Sequence, residues 1–194
     1  MNKNRVEAFS DGVFAIAATL VIVEIRLPMS GDVWTSLWAQ RAQLLAFGLS
    51  FLIVTMYWIA HHVFFDFIAR TDRTLLWLNN LGLTLISFLP FPTMVLGTHP
   101  LDPAAICLYG STLILVNLFN LLLWRHVAAH DHLHKPELTP ELAGRVSRIH
   151  MAPVALYALA ILLAFRTPQL SLLCVGAVPV FFILASPKLD KHKL

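Results

Sequence analysis

An all-α integral membrane fold with six transmembrane helices is predicted by three observations. Of the 194 residues, 58% are hydrophobic and only 13% are charged, against roughly 25% charged in an average soluble domain; the mean hydropathy is +0.72. The apolar residues gather into six runs close to the roughly 20 residues that carry a helix across a hydrocarbon core. The basic residues are shared unequally between the loops on the two sides of those runs, as membrane proteins require.

The first run, residues 9–27, follows Lys3 and Arg5 and opens on Phe9-Ser10-Asp11. Ser10 fits an N-cap, and Asp11 then falls in the first turn, where the positive end of the helix dipole favours a carboxylate. Ionisable groups at membrane depth are costly unless paired, so this polar foot reads as functional or as a clamp. From Gly12 to Val23 the only polar side chain is Thr19, and Gly12, Ala15, Ala17 and Ala18 permit close helix approach. The run is too long for a signal-peptide core and ends in Glu24-Ile25-Arg26, so it is expected to remain as a helix.

The second run, 43–65, carries Trp58-Ile59-Ala60-His61-His62. Adjacent helical residues point about 100° apart, so His61 and His62 are poorly placed to share a metal, and one of them could instead bond Asp11. The third run, 74–96, brings Asn79 and Asn80 to the same end as the histidines, suited to an interhelical polar clamp. Pro90-Phe91-Pro92 predicts a kink near its other end. The fourth run is 103–124. The fifth and sixth, 149–165 and 170–185, are short and contain Pro153 and Pro179, which packed neighbours tolerate in membrane helices.

Six spans put both termini on one side. Lys3, Arg5, Arg70, Arg73, Arg125, Lys135, Arg145, Arg148, Lys188, Lys191 and Lys193 fall on that side, and only Arg26, Arg41 and Arg166 fall on the other. Both termini are therefore expected in the cytoplasm. The net charge of +3 is explained by this asymmetry and carries no expectation of nucleic acid. Cys107 and Cys174 sit inside spans without metal-ligand spacing and are expected to be packing residues. A polar cytoplasmic connection is expected over 126–147, where His126, His130, His132 and His134 lack the accompanying ligands of a zinc site.

On a 3.6-residue period, Gly12, Ile16, Thr19, Leu20, Val23 and Leu27 share one face of the first helix. Such a stripe is core or lipid contact in one reading. In another, several copies of it form a ring that gates by dewetting, with Thr19 adding a layer of oxygens. Glu24 is either a surface carboxylate paired with Arg26 or an attractive charge at a pore mouth. No nucleotide-binding, hydrolase or carbonyl-filter motif occurs, so neither an enzyme nor an organic cofactor is expected.

Arg5-x-x-x-Phe9-Ser10-Asp11, the following Gly12 to Leu20, Trp58-Ile59-Ala60-His61-His62 and Leu78-Asn79 resemble the transmembrane protein 175 family of potassium channels. The resemblance implies a prokaryotic single-repeat member, a homotetramer in the cell membrane with a central pore formed by the first helices, passing potassium and other monovalent cations and in contact with membrane lipid. It implies a pore constriction at Ile16, Leu20 and Val23, a selectivity-influencing layer at Thr19, and Glu24 at the outer mouth. It also implies a structural network of Arg5, Phe9, Ser10 and Asp11 with His61, His62 and Asn79. The competing expectation is a proton-coupled secondary transporter using Asp11 and His61 as a protonation pair; a membrane-embedded metal enzyme built on the histidines is a third, hampered by their spacing.

Overall fold

In the computed structural model residues 2–27 and 31–190 are described, without the side chains of residues 181 and 183–190. Lys191 and Lys193, counted above on the basic side, lie outside the described residues. The helices are α1 Lys3–Glu24, α2 Val33–Ala39, α3 Arg41–Asp66, α4 Arg73–Phe88, α5 Pro90–Thr98, α6 Pro103–Ala128, α7 Pro140–Ala164 and α8 Pro168–Asp190. Among the described residues five stretches are long and apolar enough to cross a membrane: α1, α3, Arg73–Thr98 (α4 with α5), α6 and α7. The sixth expected span corresponds to α8, apolar over Pro168–Val180.

Local chemistry sets most of the starts. Asp32, Asp72, Asp102 and Thr139 each accept a bond from a backbone N–H two or three residues on, and Pro103 and Pro140 occupy the first helical position, where a missing N–H costs nothing. The break between α4 and α5 falls at Leu89, just before Pro90, as the proline run predicts. The short α2 was not anticipated; Gly31, with φ of 113°, supplies the left-handed turn that leads into it.

Two expectations are corrected. The first helix begins at Lys3 with Asn2 as its cap, not at Ser10, because the Asn2 side chain accepts from the Asn4 N–H at 3.1 Å. Ser10 and Asp11 are therefore two turns inside the helix. Half of the connection over 126–147 is also helical, since α6 runs on to Ala128 and α7 starts at Pro140. What lies between is folded against the stretch that follows α3: the Leu133 carbonyl accepts from the Ala69 N–H at 2.8 Å, and Lys135 N–H donates to the Phe67 carbonyl at 2.8 Å. Leu133 and Leu138 are buried with Val6, Phe65, Ile68, Leu75 and Trp124 in a small core at this end of the bundle. The histidines drew the eye to a solvated loop, but it is these two leucines that decide where the segment goes.

The main core joins α1 and α3 to α8 through residues such as Ile53, Leu89, Leu113, Val116, Tyr157 and Ala160. At Gly97 the α3 backbone comes close: an added Cβ would stand 2.9 Å from Gln43 Cα. Gly97→Leu is accordingly expected to force α5 away from α3 and cost about 1–3 kcal/mol, the usual range for overpacking, read as a lowered melting temperature in detergent.

At the opposite end, Asp72 ties two elements together. Its Oδ1 accepts from the Leu75 N–H at 2.6 Å and its Oδ2 meets His126 Nε2 at 3.0 Å. Burial pushes its pKa up, but the Leu75 N–H and His126 outweigh that and hold it below the ordinary 3.8. A depressed carboxylate contributes stability above its unfolded pKa and loses it as the pH falls through the folded one. Asp72→Ala is thus expected to cost about 1 kcal/mol at neutral pH, with the difference from wild type shrinking below pH 3.8 in a thermal-unfolding series.

Candidate functional site

Helix α1 has two unlike faces. Val6, Ser10, Phe14, Ala17 and Val21, at spacings of three and four, are buried against the bundle. On the other side Phe9 and Ile16 are each 60% exposed, Leu20 44% and Val23 72%. The branched stripe is therefore no part of its own subunit's core. Thr19 is exposed on the flank of this stripe, and its hydroxyl donates to the Ala15 carbonyl at 3.0 Å, or to that of Ile16 at 3.2 Å. With the proton so engaged, the oxygen lone pairs stay available on the outer side. Glu24 lies about 80° round the helix from Ile16 at 100° per residue, turned toward a cleft between α1, α3 and α5. It forms no ion pair with Arg26.

The buried face is locked by a chain of polar groups. Ser10 Oγ donates to the Val6 carbonyl at 2.8 Å and accepts from Asn79 Nδ2 at 3.2 Å; Asn79 Oδ1 in turn meets His61 Nε2 at 2.9 Å. The amide of Asn79, 3% exposed, therefore joins α1 to α3 from its place on α4. With the Asn79 oxygen as acceptor, His61 Nε2 carries the proton. The imidazole is wedged between Phe65, stacked at 4.2 Å, and Phe14, edge-on at 5.4 Å between ring centroids.

Asp11 does not meet His61. Its Oδ1 accepts from Trp58 Nε1–H at 2.8 Å. The physical reason is rotational: Asp11 is about 100° round α1 from Ser10, so Ser10 addresses Asn79 on α4 while Asp11 addresses Trp58 on α3. His62 is exposed and only stacks near Trp58, at 6.3 Å. Arg5 is exposed, and its side chain makes no hydrogen bond or ion pair among the described residues. Trp58 is the partner that sequence reasoning missed. Its signal was present, an indole N–H three residues before the histidine pair and on the same side of α3.

Two further buried clamps were not anticipated. Ser50 and Thr93 hydroxyls meet at 2.8 Å between α3 and α5, and Asn117 Nδ2 donates to the Tyr57 hydroxyl between α6 and α3. Among the described residues no three His, Cys, Asp or Glu side chains gather as metal ligands; His126 is turned to Asp72, and His130 Nδ1 to the His126 carbonyl at 2.7 Å.

These features define a helical membrane protein whose first span is clamped on one side by polar groups and leaves an aliphatic stripe uncovered on the other. The family model described as endosomal/lysosomal potassium channel TMEM175 matches residues 5–90, the stretch that holds both faces of α1 and the whole Ser10–Asn79–His61 chain. A potassium channel of Streptomyces collinus is 36% identical over 191 residues, covering 94% of this chain and 92% of that one. The human endosomal/lysosomal proton channel TMEM175 is 35% identical over 209 residues, covering 95% of this chain but 41% of its own length. Among solved structures, that of a lysosomal potassium-selective channel TMEM175 homolog from Chamaesiphon minutus superposes with a TM-score of 0.81 at 33% identity, over 95% of this chain and 97% of that one. The chain belongs to the TMEM175 family.

Proposed function

We propose that this protein is a potassium channel whose conduction path is built from the exposed stripe of α1. The observation that carries the reading is the uncovered stripe itself: Ile16, Leu20 and Val23 stay exposed on a helix whose other face is fully committed to the subunit. The relatives named potassium channels support the same activity. Four copies around an axis would bring four such stripes together, with Ile16 at the constriction, Leu20 and Val23 beyond it, and Thr19 as the neighbouring oxygen layer. Glu24 would act at the mouth by attracting cations. The termini face the cytoplasm of a prokaryotic cell, and the ion is the permeant species, with no cofactor and no catalysis.

An aliphatic ring offers potassium no ligands, so the closed state would exclude ions by excluding water. Conduction then requires dilation enough to admit an ion with its hydration shell. Thr19 lies about 4.5 Å along the axis from Ile16 at 1.5 Å per residue, close enough for its oxygen to replace part of that shell. The polar chain of Ser10, Asn79 and His61, with Asp11 and Trp58, serves as the anchor against which α1 moves or holds. The transporter alternative needs Asp11 and His61 as a pair, and the two bond to different partners.

The test is ion flux from purified protein in liposomes and in planar bilayers. Discrete unitary currents carried by potassium down its gradient are expected, without need of a proton gradient. Flux that saturates and follows the proton gradient would instead indicate a carrier.

A further inference from the structure

We infer that the cleft between α1, α3 and α5, at the end of the bundle that carries α2, is a binding site for the headgroup of a zwitterionic phospholipid. The cleft has a volume of about 240 Å³ and is walled by Glu24 and Arg26, the amides of Gln40 and Gln43, and Thr98. Val21 and Met94 add apolar walls. Glu24 and Arg26 thus border one space, and neither has an ion-pair partner among the described residues.

Depth and surroundings select the ligand. The cleft is made by the last turn of α1, the first of α3 and the last of α5, so it lies where the helices leave the hydrocarbon. Helix α2 ends at Gln40 in the cleft wall and displays Trp34, 78% exposed, and Trp38, 71% exposed, with the Arg41 guanidinium 5.2 Å from the Trp38 ring centroid. Exposed tryptophans beside an arginine are the composition of a membrane–water interface. Charge decides the rest. A free anion would meet Glu24, a metal ion would meet Arg26, and an apolar span from a second copy would dehydrate both charges without pairing them. A phosphate joined to an ammonium satisfies each at once, phosphate on Arg26 and ammonium on Glu24. Acyl chains hold such a headgroup in the bilayer at high local concentration, which a soluble zwitterion lacks.

Such a lipid would stand behind the last turn of α1 and, where it occupies the cleft, weaken the attraction that Glu24 exerts on cations at the mouth. Binding can be read without any current, so this inference fails or stands separately from the conduction reading. The probe is a phosphatidylethanolamine with an unmodified headgroup and a diazirine near the glycerol end of one acyl chain, reconstituted with the wild-type protein, irradiated and mapped by peptide mass spectrometry. Adducts are expected within residues 21–43 and 94–98, and a phosphatidylglycerol probe should label them roughly tenfold less, as expected for loss of one hydrogen bond to a charged group. Glu24→Gln with Arg26→Gln should reduce the ethanolamine adduct to a similar degree. Free glycerophosphoethanolamine at millimolar concentration should not compete. Equal labelling by the anionic probe, competition by the soluble zwitterion, or no lipid adduct within those residues would each overturn the assignment. The wild-type arms decide the matter even where the double variant does not assemble.

Discussion

Ile16→Asn is expected to raise single-channel conductance about tenfold, the effect of lowering a barrier by roughly 1.4 kcal/mol, and to weaken the preference for potassium. The argument runs from exposure to wetting. Ile16 is 60% exposed in the subunit, so the substitution removes none of the core that holds α1 to α3 and α4, and folding should be little changed. What changes is the surface of the narrow ring. An aliphatic ring expels water, whereas an amide ring donates and accepts hydrogen bonds and keeps the neck wet. A permanently wet neck admits hydrated ions of either size, which reduces the discrimination left to Thr19. Recording from wild type and variant in the same bilayers checks both parts. Unchanged conductance would remove Ile16 from the gate and point to Leu20, the next exposed residue on the same stripe.

How far the molecule could be read from its sequence depended on whether the signal was local or relational. Hydrophobic run length and proline chemistry are local: the break expected at Pro90-Phe91-Pro92 lies at Leu89, and five of the expected spans overlap described stretches long and apolar enough to cross a membrane. The N-cap expected at Ser10 lies at Asn2 instead, because hydrophobicity marks where lipid begins and not where a helix begins. The helix has an extra aqueous or headgroup-level portion carrying Lys3 and Arg5. Relational facts were harder. That Asp11 would find Trp58 and not a histidine depends on the rotation of α1 against α3, to which spacing along either helix is blind. The loop histidines illustrate the same limit, since their fate follows from Leu133 and Leu138 entering a core built by four other segments. The aliphatic stripe was legible as a face, but its being left uncovered required the bundle.

Asn79→Leu should be the most disruptive single change at the anchor. The amide is buried and serves two helices at once, donating to Ser10 Oγ at 3.2 Å and facing His61 Nε2 at 2.9 Å. Leucine fills similar space but strands the imidazole N–H, and a buried group left without its partner costs about 1–3 kcal/mol. Interhelical bonds in membranes average somewhat less, about 0.6 kcal/mol and up to 1.7, because the separated helices find other partners in lipid. A loss of about 2 kcal/mol is therefore expected, seen as a lower melting temperature in detergent and poorer assembly. Asp11→Ala should also lower assembly, though less, since Asp11 and Trp58 are both exposed in the subunit and water can stand in for the lost partner. The ordering separates an anchor from an ion site. If the Ser10, Asn79 and His61 chain only holds α1 in place, whatever Asn79→Leu protein does assemble should retain the wild-type potassium preference while its stability falls. A normally stable variant with altered preference would instead put Asn79 on the ion's path. Combining Ser10→Ala with Asn79→Leu sharpens the distinction, because two members of one hydrogen-bonded chain should lose less together than the sum of their separate losses.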